Sequence, residues 1–276
     1  MTRTNKPLEE LAAHARRVRA HVVRMVSEIR VGYLLQGLGA ADLLTTLYFD
    51  ELNLDPTNPA WPERDRFILS TAHNTALLYA TFAERGLIAV EALDTYTHDG
   101  SPLEVNASER MGPIVEATCG SLGQGLSVAV GMALSLRRRG SHARVYVVLG
   151  DGELQEGQVW EAALSAGGHG LDNLCLIIDR NYLQVEGHTD KVVVMDPIDA
   201  KFAAFGWDTA LIDGNDIGQV TGALDHARRV KGRPSAIVAR TRPGAGVPFL
   251  DGQMAHVAFI SRDDAARALT HLEPAA

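Results

Sequence analysis

The sequence predicts an α/β fold, a doubly wound parallel sheet with helices on both faces. Two observations point to it. The stretch from Val145 to Leu183 contains two short aliphatic runs, Val145 to Leu149 and Leu174 to Ile178, which read as strands buried on both sides, as parallel strands are. Between them, Leu154 to Gly168 has the length and amphipathic pattern of a crossover helix. The second observation is that helical and strand-like patterns alternate along most of the chain, with no repeat, low-complexity tract or linker between them. One domain spanning residues 1–276 is expected.

In chain order, Leu8 to Arg30 reads as an amphipathic helix, with Leu11, Val18, Val22, Met25 and Ile29 at helical spacing. Gly32 to Gly39 reads as a break, and Ala40 to Leu52 as a second helix. Asp55-Pro56 and Pro59 to Asp65 form a loop that leads to a short strand at Phe67 to Ser70. His73 opens the helix that follows. Residues 95–120 show no regular pattern, and long irregular segments of compact domains are often functional, so this one is expected to face a ligand. A helix opens at Gly120-Ser121-Leu122-Gly123-Gln124-Gly125 and runs to about Arg139. Small residues lie along it (Ser127, Ala129, Gly131, Ala133, Ser135). Beyond the central unit, Trp207 to Ile212 and Ala236 to Ala239 read as strands, with a helix at about 216–229.

Composition narrows the class. Of the 276 residues, 46% are hydrophobic and 22% charged, as in ordinary soluble globular proteins. A formal charge of −8 argues against a nucleic-acid surface. The run Arg137-Arg138-Arg139 reads as a helix C-terminus, where cations offset the dipole. Two cysteines, Cys119 and Cys175, are too few for a disulfide framework, and a reduced, cytoplasmic chain is expected. The opening stretch alternates charge with apolar residues and lacks the core of a signal peptide. No apolar run reaches the ~18 residues of a membrane span.

Polar residues stand where the two central strands end: Gly150-Asp151-Gly152 after the first and Asp179-Arg180-Asn181 after the second. In open parallel sheets the strand carboxyl ends face the ligand crevice, so Asp151 and Asn181 are expected to meet on one rim. One carboxylate and one amide oxygen make a thin protein cage. Such a pair suits Mg²⁺, which takes oxygen ligands octahedrally and draws several from substrate phosphates and water. The two glycines allow backbone to approach a diphosphate, and the following helix aims free N–H groups at anions.

This constellation resembles the thiamine diphosphate motif, and its flanking words narrow the likeness. GDGELQEGQVWEAALSAG at 150–167 and LDNLCLIIDRN at 171–181 are similar to transketolase. So are LGAADLLTTLY at 38–48, NPAWPERDRFILSTAH at 58–73, EATCGSLGQGLSVAVGMAL at 116–134 and GWDTALIDGND at 206–216. The resemblance covers nearly the whole chain, in the right order. It implies the thiamine diphosphate-binding fold and, within it, the diphosphate-anchoring half of the site.

The resemblance also implies roles. Gly150, Asp151, Gly152, Glu153 and Asn181 belong to the cofactor motif, with Asp151 and Asn181 as Mg²⁺ ligands. Leu183 matches the residue whose main-chain carbonyl completes the metal shell. His73 matches the family histidine near the diphosphate, and Gly120, Ser121 and Leu122 match the loop that touches the cofactor. Glu156 matches a glutamate near the subunit interface, and His256 aligns with a substrate histidine. In the family a second domain supplies the glutamate that protonates the aminopyrimidine ring, and nothing in this sequence offers it. The resemblance therefore implies the N-terminal subunit of a split enzyme, working with a separately encoded pyrimidine-domain partner, as an α₂β₂ complex.

Two departures bear on substrate. Where transketolases carry Gly-His-Pro-Gly, this chain has Gly32-Tyr33-Leu34-Leu35. Where they carry Gly-His-Pro-Glu, it has Val105-Asn106-Ala107-Ser108. The family histidines face the reacting end of the sugar. Tyr33 and Asn106 still donate hydrogen bonds, but neither is cationic near neutral pH. The leading expectation is two-carbon transfer from a ketose-like donor to an aldehyde or ketone. The alternatives are pyruvate-dependent acyl transfer, with acyloin formation, and a noncatalytic cofactor-binding subunit.

Overall fold

The computed structural model describes residues 6–29 and 31–273. Five parallel strands form its main sheet, in the order β1 (Arg66–Leu69), β2 (Val145–Gly150), β3 (Leu174–Arg180), β7 (Ser235–Arg240) and β6 (Asp208–Asp213). The three central strands are buried almost end to end because both of their faces are apolar. On one face Val145, Val147, Leu149, Leu176 and Ile178 join one core. On the other Tyr146, Val148, Cys175 and Ile177 join a second. Strand β6 lies at the edge and is only half covered.

Helices cover both faces. Helix α5 (Gln124–Arg138), α6 (Gly157–Gly168) and α8 (Ile198–Ala204) lead into β2, β3 and β6, and all pack into the first core. Helix α9 (Ile217–Arg229), which returns from β6 to β7, packs into the second. Forward and backward crossovers on opposite faces keep one handedness, as right-twisted parallel sheets require. The second core also holds α1 (Leu8–Ile29), α4 (Thr75–Arg85) and α10 (Arg262–Leu272).

Helix α1 follows its pattern: Leu11, Ala15, Val18, Val22 and Val26 are buried on one side, with Glu9 and Glu10 at the positive end of the dipole. Arg30, the expected last residue of this helix, lies outside the described residues. So do residues 1–5 of the N-terminal stretch.

The segment read as a break is a helix for most of its length. Helix α2 (Leu34–Gly39) precedes α3 (Ala41–Thr46), which widens into a π-helical turn at Leu47–Glu51. Its glycines suggest a loop, but Leu34, Leu35 and Leu38 are wholly buried. At ~1.5–3 kcal/mol for each buried leucine, packing outweighs the ~1 kcal/mol that each helical glycine costs. Strand β1 begins one residue before its expected position and β6 one residue after. Residues 153–155 form a separate 3₁₀ turn before α6. An antiparallel hairpin, β4 (Leu183–Gln184) with β5 (Gly187–His188), follows β3 and leads into the short α7 (Thr189–Val192). The stripe of small residues on α5 divides: Ala129 and Ala133 are in the core, whereas Ser127, Gly131 and Ser135 face outward.

Candidate active site at the strand carboxyl ends

The register of the sheet brings the ends of β2 and β3 level, with Gly150 beside Asp179. A cleft of about 640 Å³ opens along this rim. Its walls include Tyr33, His73, Asn106, Gly120, Leu122, Gly150, Gly152, Glu153, Glu156, Asn181, Leu183 and His256. Among the described residues no lysine or arginine lines it.

Asp151 lies under the rim and is fully buried. Its Oδ2 accepts hydrogen bonds from Arg180 Nη1 at 2.8 Å and the Tyr182 N–H at 3.0 Å, while Oδ1 accepts from the Gly152 N–H at 2.9 Å. Burial raises its pKa, and the Arg180 guanidinium opposes the rise. The same guanidinium reaches Asp190 at 2.7 Å and Asp196 at 3.0 Å. Arg180 thus ties Asp151 to the segment beyond the hairpin. Asn181 turns its Oδ1 to the Leu183 N–H at 2.9 Å and its Nδ2 to Asp179 Oδ2 at 3.0 Å.

Gly152 allows the two strand ends to meet. A Cβ there would lie 2.7 Å from Gln184 Cβ and 3.6 Å from the Leu183 carbonyl oxygen, so only glycine lets this turn abut the hairpin. The carbonyl of Leu183 therefore comes to the same rim as Asp151 and Asn181. Among the described residues no cluster of three His, Cys, Asp or Glu side chains forms a self-sufficient metal cage. One carboxylate, one amide oxygen and one carbonyl fit Mg²⁺ that draws its remaining ligands from a diphosphate and water.

Glu153 holds the neighbouring loop in place. It is buried, and its Oε1 accepts from the Ser70 hydroxyl and, at 2.7 Å, from the Gly123 N–H. Its Oε2 accepts from the Gly150 N–H at 3.2 Å. The Ser70 Oγ in turn accepts from the Gly125 N–H at 3.1 Å. One carboxylate thereby fastens the 120–123 loop to the ends of β1 and β2. Gly120 and Leu122 face the cleft, and Ser121 is exposed beside them. Gly123 adopts φ +85°, and a Cβ there would meet Glu156 Cβ at 2.7 Å.

Three rings from distant parts of the chain form the opposite wall. Tyr33, just before α2, stands edge-on to His73 at 5.1 Å and to His256 at 5.0 Å, and the two imidazoles are 6.0 Å apart. Burial, with a smaller contribution from His256, pushes His73 down to about 4. Burial also lowers His256, whose Nδ1 has no hydrogen-bond partner among the described residues. Both imidazoles are therefore neutral near pH 7. Asn106 lines the same cleft, its Nδ2 3.6 Å from where a Cβ on Gly120 would stand.

The His73 value carries a pH dependence. The unfolded chain takes up this proton near 6.5 and the folded chain only near 4. This contribution to stability is whole above pH 6.5 and is lost as pH falls towards 4. NMR should show the His73 ring signals, assigned with a His73→Gln variant, unmoved from pH 8 to about pH 5.5. A midpoint near the usual ~6.5 would refute the neutral assignment.

Several supporting residues carry no sequence signal of their own. Ser70 meets Glu153, Thr241 meets Asp179, and Gln36 donates from Nε2 to the His256 carbonyl at 2.8 Å. The fold joins residues far apart in the chain in each case. Thr241 has the nearest thing to a signal, because it stands at the end of a strand that the apolar pattern already places in the sheet.

An α/β crevice at the strand carboxyl ends, bounded by glycine turns, polar side chains and neutral rings, stands where open parallel sheets take their ligands. The profile of the transketolase thiamine diphosphate binding domain matches residues 10–273. The 6-deoxy-6-sulfo-D-fructose transketolase subunit of a Clostridium species is 38% identical over 89% of this chain and 90% of its own. An apulose-4-phosphate transketolase subunit from Actinobacillus succinogenes is 39% identical over 90% of each. A transketolase variant from Pichia stipitis superposes with a TM-score of 0.87 at 29% identity, over 96% of this chain and 40% of that one. The chain belongs to the transketolase family. It is a transketolase-like transferase subunit built on that family's thiamine diphosphate binding domain.

Proposed function

We propose that this chain works with a pyrimidine-domain partner, as an α₂β₂ complex, to transfer a two-carbon unit from a ketose-like donor to an aldehyde or ketone. The observation that carries this reading is the convergence, in one cleft, of Asn181 with Asp151 buried beneath the rim, Gly120 and Leu122, and the Tyr33–His73–His256 wall. Asp151, Asn181 and the Leu183 carbonyl would hold Mg²⁺ against the diphosphate. The backbone at Gly120, Ser121 and Leu122, the Gly150–Gly152 turn and His73 would border the cofactor, and Glu153 holds these pieces in register. Bound thiamine diphosphate supplies the carbon nucleophile and the electron sink. His256, Tyr33 and Asn106 then orient the donor carbonyl and its hydroxyls with neutral hydrogen bonds. Both named relatives act, by their names, on ketose derivatives, which supports a ketose-like donor.

A specific observation favours a second donor class. The wall formed by this chain offers no cation: both imidazoles are held neutral, Asn106 is an amide, and among the described residues no lysine or arginine lines the cleft. Charge-assisted hydrogen bonds are roughly twice as strong as neutral ones, and losing one oxyanion donor costs on the order of 10²-fold in rate. Pyruvate lacks the hydroxyl that such a donor would hold and loses less. Turnover of xylulose 5-phosphate should therefore be weak, and Asn106→His with Tyr33→His should raise ketose turnover relative to pyruvate by about 10-fold or more. A donor panel with mass detection of products tests this. Efficient xylulose 5-phosphate turnover by the unmodified complex, or an unchanged donor ratio in the double variant, would leave donor recognition to His256 or the partner.

A further inference from the structure

We propose that Asp179, braced by Thr241, is a positioning residue that sets the direction of the Asn181 amide and so the affinity of the site for its divalent cation. The inference rests on the assignment of Asn181 as a ligand in the proposed function.

Asp179 is fully buried near the end of β3, between Gly150 on β2 and Ala239 on β7. It does not line the cleft, so it acts through another group. Its Oδ1 accepts from the Thr241 hydroxyl, and its Oδ2 accepts from Asn181 Nδ2 at 3.0 Å. On the far side of the amide, the Leu183 N–H donates to Asn181 Oδ1 at 2.9 Å. These neighbours make the two ends of the amide unequal. Turned over, the amide would set its N–H₂ against the Leu183 N–H and its oxygen against a carboxylate, two repulsions in a dry site. Held as it is, the oxygen gives one acceptor position to Leu183 and keeps the other for a cation.

The choice of a carboxylate at 179 follows from the same reasoning. An asparagine there could donate as well as accept, and either direction of Asn181 would then be tolerated. Thr241 also accounts for the other oxygen: it donates to Oδ1, while the Asn181 amide donates to Oδ2. The next residue along the strand points to the opposite face, where Arg180 performs the matching task by holding Asp151 Oδ2 at 2.8 Å. One strand end thus steadies both side-chain ligands.

Outer-sphere partners of metal ligands typically contribute 10–100-fold in affinity. The test uses the full chain in complex with its partner, at saturating thiamine diphosphate, with Mg²⁺ titrated by calorimetry and by its effect on turnover. Asp179→Asn and Thr241→Val should each raise half-saturating Mg²⁺ by about 10- to 100-fold, with kcat at saturating Mg²⁺ within about threefold of the parent. Thr241→Ser, which keeps the hydroxyl, should behave as the parent. Should Asp179→Asn fail to fold, the two Thr241 variants carry the same contrast. Folded variants whose Mg²⁺ requirement stays within about twofold of the parent, while Asn181→Ala weakens it strongly, overturn the inference and leave the ligand assignment standing. An Asn181→Ala variant with unchanged Mg²⁺ affinity overturns both.

Discussion

Asp151→Ala is expected to abolish binding of thiamine diphosphate and Mg²⁺ while leaving a cooperatively folded chain. The carboxylate is the one anion among the three proposed metal ligands, the other two being the Asn181 amide and the Leu183 carbonyl. Without it, two neutral oxygens remain to anchor a divalent cation that must bridge protein and diphosphate. Removing one partner of a buried ion pair commonly costs about 3–5 kcal/mol, because the other charge is left uncompensated. Here Arg180 keeps Asp190 and Asp196, so the loss should fall at or below the lower end of that range. Calorimetry on the folded variant, at concentrations that saturate the parent, should show no heat of cofactor binding. Unchanged affinity would remove Asp151 from the site.

The second large effect is a requirement for company. The isolated chain is expected to show no turnover, and to gain it when a pyrimidine-domain subunit is added. Beside the cleft, Val105, Leu122, Val185, Val192, Val193 and Val194 expose large apolar surfaces, Val185 to 76% and Val194 to 63%. Contiguous exposed apolar surface marks an interaction site, and obligate interfaces run to about 2,000 Å² or more. Turnover with and without the partner, with mass analysis of the species present, decides the matter. Robust carboligation by this chain alone would refute the two-chain reading.

How much of this was legible in the sequence depended on whether the deciding contact was local. The central strands stood out because burial on both faces demands continuous apolar runs, and VYVVL and LCLII admit few other readings. Helix α1 announced itself through its period. Helix α2 did not, since Gly32, Gly37 and Gly39 favour a loop and only the buried leucines, seen in three dimensions, overrule them. The hairpin after β3, α8 and α10 are short or polar, and were not anticipated. At the site, the placement of Asp151 and Asn181 just after two strand ends was readable from the apolar runs that precede them. That Tyr33, His73 and His256 form one wall was not, because it depends on how α2 and the 241–261 segment pack. The clamp role of Glu153 lay equally out of reach, since the residue sits in the expected motif but meets Ser70 and Gly123 only through the fold.

That wall has a consequence for how the protein matures. Tyr33 precedes the central sheet and His73 follows only its first strand, whereas His256 comes after its last, held by Gln36 and by the Gly244 N–H donating to the Leu35 carbonyl at 2.8 Å. During synthesis the first two rings emerge long before the third. Closing so long a loop adds little entropy beyond a shorter one, since each doubling of length costs only about 0.6 kcal/mol; the delay is set by chain order. The sheet can be complete while the pocket still lacks a side. The three-ring wall is complete only once the chain has been made through His256, and a chain cut before that residue lacks this side of the pocket.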